Sequence, residues 1–219
     1  MPTRVSDSTL EQFRHAAAGQ TPTPAGVAIA AVSAAFALGL LAKVLTISGR
    51  RKAPPENTAG LEELAAAAQV ASQRMLQLAG EDSAAFEAYL AARRLPRATE
   101  SERQSRDQEI DTTVRRAIDV PLEAAQEAAA GLQLCNEASA LTPLALVADL
   151  GVAATLLASA LRGFLLCAQS NVRQLAPDAA SYRAQLATET ERHERALQQA
   201  QAVLEQAGAA LESTAVSEP

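Results

Sequence analysis

Residues 25–42 read AGVAIAAVSAAFALGLLA, eighteen positions without a charge, and the run closes at Lys43. That is about the length at which a bilayer span has to be considered. The stretch is built of Ala, Gly, Val and Ser more than of Leu and Ile, it lacks aromatic anchors, and it ends on a lysine. These features favour a helix buried in protein over a helix in lipid. A helix apolar all round is expected to be covered on all sides, so this segment reads as a central core helix. A second stretch of the same kind runs from Leu144 to Ala168, with Asp149 and Arg162 as its only charges. Together they predict an all-α helical bundle around two buried apolar central helices, and composition agrees. Hydrophobic residues make up 48% of the 219 residues but aromatics only 3%, with no Trp. Ala, Leu and Val suit close helix packing better than sheets.

Working outward, Ser8-Thr9-Leu10-Glu11 reads as a capping box opening a short helix to about Ala18. Gly19 to Pro24 cannot be helical throughout, because each proline forces the residue before it toward extended geometry. After the loop Gly49 to Pro55, a helix is expected from about Thr58 to Arg94, with Leu61, Leu64, Ala68, Met75, Leu78, Phe86 and Tyr89 on one stripe. Asp82 falls on that stripe. A carboxylate there is costly unless paired or facing a polar cavity, so its position asks for a reason. Leu95 to Thr99 breaks the pattern, and a half-solvated helix resumes with Ile110, Val114 and Ile118 inward. Pro121 should kink that helix or start a new one running to about Ser139. A last amphipathic helix spans about Asp178 to Leu211, and the small polar residues 212–219 read as a disordered tail. One domain over 1–211 is expected.

Net charge is −6, which supplies no reason to expect a nucleic-acid or anionic-membrane partner. Cys135 and Cys167 lie in apolar helical sequence without Cys-x-x-Cys spacing. With no apolar leader at the N-terminus, this points to a soluble cytoplasmic protein. His15 and His193 have no second ligand at helical spacing, so no metal is expected. Phosphate-cradling and nucleophile-elbow motifs are missing from the sequence. What remains is Asp82 and Asp149, both expected to be buried, with Arg162, Asn171 and the basic run Arg50, Arg51 and Lys52. That set suits acid–base chemistry on an anionic small molecule, because desolvation favours the neutral carboxyl and brings its pKa toward neutrality. A buried structural ion pair would leave the same pattern. Asp149 and Arg162 are thirteen positions apart on one helix, so each should find its partner elsewhere.

Several blocks occur in a telling order: Thr-Pro-Thr-Pro before the first apolar helix, Leu45 to Ile47, Gly49 to Lys52, Glu81 to Phe86, Leu95-Pro96, Val120 to Leu122, Asp149 to Ala154 and Leu161 to Gly163. In that order and with similar gaps they resemble the cyclodeaminase/cyclohydrolase family, over nearly the whole chain. This family comprises the cyclodeaminase half of formiminotransferase-cyclodeaminase and the stand-alone methenyltetrahydrofolate cyclohydrolases. The resemblance implies an all-helical homodimer that takes a tetrahydrofolate derivative as substrate, with no tightly bound cofactor and no metal. It would either close the formimino form with loss of ammonia or hydrolyse the methenyl form. By position, Asp149 matches the aspartate of the family's Ser-Asp-x-Gly motif, with Gly151 its glycine, and is the first choice for proton transfer; Asp82 is second. Gly26 matches a glycine of the Pro-Gly-Gly-Gly turn. Arg50, Arg51 and Lys52 match a basic run suited to the folate glutamate tail, and Asn171 an asparagine late in the core helix.

The chain also departs from that pattern. The glycine turn reads Ala25-Gly26-Val27, the serine before the aspartate is Ala148, an asparagine late in the first core helix is Val44, and the tyrosine after the basic run is Ala53. Lost polarity and added bulk leave two alternatives beside a folate enzyme: a catalytically inactive relative, or one whose remodelled pocket (Ala25, Val27, Ala148) takes another substrate.

Overall fold

The computed structural model describes residues 5–50, 55–173 and 179–215, and all regular structure among them is helical. After a 3-10 turn at Val5–Asp7 come α1 (Leu10–Ala17), α2 (Gly26–Arg50), α3 (Pro55–Arg93), α4 (Glu100–Ser139), α5 (Val147–Val172) and α6 (Ala179–Ala215). A second 3-10 turn, Leu144–Leu146, leads into α5. The capping box of α1 lies one residue beyond the expected one: Thr9 and Gln12 exchange the two bonds, not Ser8 and Glu11. Thr99 and Glu102 do the same for α4. Helix α6 runs on past Leu211 to Ala215, so residues 212–215 are helical; 216–219, the rest of the expected tail, lie outside the described residues.

Helices α2, α3, α4 and α5 close a four-membered ring in which each packs on the next, and α6 lies along the outside of α4 and α5. Neighbours in the ring run antiparallel, as short connections require. Along α2 and α3, Gly49 sits against Leu61 and the Ser72 hydroxyl donates to the Ala35 carbonyl at 2.8 Å. Along α2 and α5, Ala30 meets Gly163 and Leu38 shares a contact with Leu157. The core is mostly Ala and Leu, so the helices approach closely, and closest at Gly131 of α4. A methyl placed there would lie 2.8 Å from Leu38 Cδ2 and 3.2 Å from Leu157 Cδ1. Pro121 does not divide α4, which continues through it as one helix.

The expectation that the two apolar helices are buried on all sides requires correction. Both are long and apolar enough to cross a bilayer, with mean hydropathies of 2.2 and 2.0, and a core helix of a water-soluble bundle passes the same test. Only 56% and 50% of their apolar windows are buried. A four-helix ring with one outer helix covers the inner faces of α2 and α5 but leaves an outer stripe on each. Phe36 is 56% exposed, Ile29 42% and Val152 50%.

Candidate functional site

The register of the ring brings three elements together at one end. Helix α2 begins at Gly26, where a methyl would lie 3.1 Å from Cys167 Sγ on α5. Continuing the α2/α3 pairing from Gly49–Leu61 through Ala35–Ser72 brings Asp82 alongside the start of α2. Asp82 is also near enough to Cys167 that its charge, after burial, raises the thiol pKa. Ala25, the residue before α2, has no side-chain acceptor. Among the described residues nothing accepts from the N–H groups of Gly26, Val27 and Ala28, which an α-helix leaves unpaired at its start. These donors and the positive end of the helix dipole make this a polar spot in an apolar surround.

Asp82 is the chemically distinctive group here. It is half-buried, no described residue bonds to it, and burial pushes its carboxyl up from 3.8 to about 6. It can therefore both hold and release a proton near neutrality. Its neighbour Glu81 is fixed in a closed ring of ion pairs between α3 and α4. Arg74 reaches Glu81 at 2.6 Å and Glu123 at 2.9 Å, while Arg116 reaches Glu123 at 2.7 Å and also pairs with Glu81. The ring is partly solvated, so its contribution to stability is modest, but it clamps α3 to α4 one residue from Asp82. Sequence reading did not find it, because its members are split over two helices.

The other expected site residues lie elsewhere. Asp149 is in the first turn of α5, half-buried rather than buried, and Gly151 packs on Leu204 and Ala207 of α6. From Asp149 to Cys167 is eighteen residues of one helix, about 27 Å. Arg50 is exposed at the far end of α2 from Gly26, and Arg51 and Lys52 lie outside the described residues. Within one chain the candidates thus form two groups at opposite ends of the α2/α5 pair. Arg162 is exposed on the side of α5 turned away from Cys167, lining a groove of about 940 Å³ against α6 with Arg173 and Arg183. Neither Asp149 nor Arg162 has an ion-pair partner among the described residues, contrary to expectation. Both reach solvent, so neither needs one.

Asn171 has a role the sequence did not reveal. Its Nδ2 donates to the Ala117 carbonyl at 2.6 Å. Ala117 is four residues before Pro121, which has no N–H to give it. The asparagine amide on α5 thus stands in for the missing helical donor in α4. The signal was in the sequence, in Pro121 itself, but its partner lies fifty positions on.

Three comparisons bear on this architecture. The formiminotransferase-cyclodeaminase family model matches residues 9–192. A methenyltetrahydrofolate cyclohydrolase from Methylorubrum extorquens is 27% identical over 77% of this chain and 81% of its own length. A formimidoyltransferase-cyclodeaminase from Sus scrofa is 28% identical over 78% of this chain, which spans only 31% of that larger protein. In three dimensions, the crystal structure of a formiminotetrahydrofolate cyclodeaminase from Thermotoga maritima superposes with a TM-score of 0.80 at 20% identity, covering 96% of this chain and 99% of the other. With the family model spanning most of its length, this chain belongs to the formiminotransferase-cyclodeaminase family.

Proposed function

We propose that this chain is a folate enzyme of one-carbon metabolism that uses Asp82 for proton transfer. Its reaction is the hydrolysis of the methenyl form or the cyclodeamination of the formimino form of tetrahydrofolate. The observation carrying the reading is Asp82 itself: an unpaired carboxyl with its pKa near 6, beside the open first turn of α2. In the hydrolysis, water adds to the carbon of the cationic methenyl form and gives up two protons: one passes to the nitrogen whose C–N bond opens to give the formyl product, and the other is released to solvent. A carboxylate accepts a proton from the attacking water and returns one to the departing nitrogen. In the cyclodeamination, the bridging amine nitrogen of the folate closes on the formimino carbon held by the ring nitrogen, and the expelled amine must be protonated to leave as ammonia. The acid form of the same group serves there. The leading N–H groups of α2 suit the anionic portion of a folate. Similarity to relatives named as a methenyltetrahydrofolate cyclohydrolase and a formimidoyltransferase-cyclodeaminase supports either reaction.

The protein works as a cytoplasmic homodimer on this reading. The exposed stripes of α2 and α5 form one uncharged, apolar face, and such faces on soluble proteins mark interfaces. The direct test is loss of the methenyltetrahydrofolate chromophore, measured above the uncatalysed rate in the same buffer. Acceleration that disappears in Asp82→Asn supports the assignment. Equal rates for the two proteins would refute it, and no acceleration by either would favour an inactive or altered-substrate relative.

A further inference from the structure

Helix α2 stops level with Asp82, but α3 carries on for eleven more residues to Arg93, about 16 Å of helix. The inward stripe of α3 registers where that cover ends. Met75 and Leu78 are fully buried beside α2, whereas Asp82, Phe86 and Tyr89, the next positions of the same stripe, are only half-buried. What precedes α2 does not close the gap: Ala25 and Gly26 are exposed, and α1 has no buried residue. This end of the helix ring is therefore an open notch with α3 as its floor.

Two aromatic side chains stand in the notch, and their surroundings differ. Tyr89 is fixed twice. It packs against the apolar cluster of Val114, Ile118 and Val172, and its hydroxyl accepts from Arg93 Nη1 at 3.2 Å, the guanidinium lying 5.8 Å from its ring centre. Phe86 joins neither apolar cluster of the described residues. Its ring leans on that of Tyr89, centroids 6.2 Å apart at a tilt of 46°, so it is held from one side while the rest stays open. One helical turn separates Phe86 from Asp82, which puts the two side chains on one face, about 6 Å apart along the axis. An open, propped aromatic ring beside a carboxyl that trades protons is a platform for a flat ring system whose reacting atoms lie at its edge.

We propose that Phe86 is a substrate-binding residue on which the pterin ring of the folate stacks, so that the one-carbon bridge at the edge of that ring lies over Asp82 and the benzoylglutamate portion falls on the α2 side. This deepens the folate reading above and rests on it for the identity of the ring. It also gives the Glu81 to Phe86 block a division of labour: Glu81 clamps α3 to α4, Asp82 handles protons and Phe86 seats the ring.

The test uses the full chain, which contains no tryptophan, so Phe86→Trp introduces a single reporter on the platform. Acrylamide should quench its emission in the free protein, and bound folinic acid (5-formyltetrahydrofolate) should shield it. Val70→Trp, at a position 68% exposed and sixteen residues back along α3, should be equally open to acrylamide with and without the ligand. In turnover of methenyltetrahydrofolate, Phe86→Leu should raise KM by about tenfold and lower kcat far less, while Phe86→Tyr, which keeps the ring, should restore the KM. A folded Phe86→Leu protein with wild-type KM would overturn the platform. So would folinic acid that raises the Tm of Phe86→Trp without shielding it, and either result leaves the folate reading standing. Should Phe86→Leu fail to fold, the shielding experiment decides. A wild-type protein that neither turns over methenyltetrahydrofolate nor gains Tm with folinic acid overturns the folate reading and the platform with it.

Discussion

The exchange between Pro121 and Asn171 makes a sharp prediction because it pairs a covalent defect with a side-chain repair. Removing the amide in Asn171→Ala leaves the half-buried Ala117 carbonyl without its 2.6 Å donor. Stranding such an acceptor costs about 1–3 kcal/mol. In a chain of this length each kcal/mol is worth about 2–4 °C of Tm, so a fall of about 4–8 °C is expected for a cost near 2 kcal/mol. Pro121→Ala restores an N–H four residues after Ala117, and in that background the same Asn171→Ala change should cost less by about 1–2 kcal/mol. The assay is a double-mutant cycle by chemical denaturation of all four proteins. Equal costs in the two backgrounds would refute the exchange. An Asn171→Ala protein of unchanged Tm and raised KM would make Asn171 a ligand-binding group, as its family position first suggested.

Three further outcomes follow from the site and core. In the folded chain Asp82 keeps its proton up to about pH 6, while the unfolded chain loses it near 3.8, so stability falls as pH rises through that window and levels off above it. Asp82→Asn should therefore stabilise the protein by up to about 3 kcal/mol at pH 8 and by almost nothing below pH 3.5 while abolishing turnover; equal Tm gains at both pH values would refute the raised carboxyl. Gly131→Ala forces a methyl to 2.8 Å from Leu38 and should cost about 1–3 kcal/mol with no change in KM, measured by denaturation and kinetics. A reduced folate at a hundred times its dissociation constant should add about 2.7 kcal/mol to wild-type stability in a thermal-shift assay, and no shift at saturating ligand would count against any folate pocket.

How much of this was legible in the sequence depends on whether a signal is local. The helices were, because periodicity, caps and prolines act within a few residues, and the boundaries of α2, α3 and α4 lie close to where those signals put them. The capping box of α1 was misplaced by one residue, since Ser8 and Thr9 offer the same hydroxyl and only the backbone chooses between them. Asp82 stood out because a carboxylate on a core stripe violates the helix pattern. Asp149 stood out by the same reasoning, yet its first-turn position lets it reach water. An apolar helix and a covered helix are different things, and the pattern of hydrophobic residues reports only the first.

That distinction is what leaves the molecule with an exposed apolar face. The eighteen uncharged residues that first suggested a buried helix are better accounted for by two requirements together, an inner face that packs on α3 and α5 and an outer face kept free of charge up to Lys43. Of these, the inner face can be satisfied by the chain itself. The outer one leaves Phe36 more than half exposed. If the homodimer proposed above uses this face, Phe36→Arg should leave the chain folded, since its side chain already reaches solvent, while separating the copies. A Phe36→Arg protein that still sediments as a dimer would refute this face as the interface.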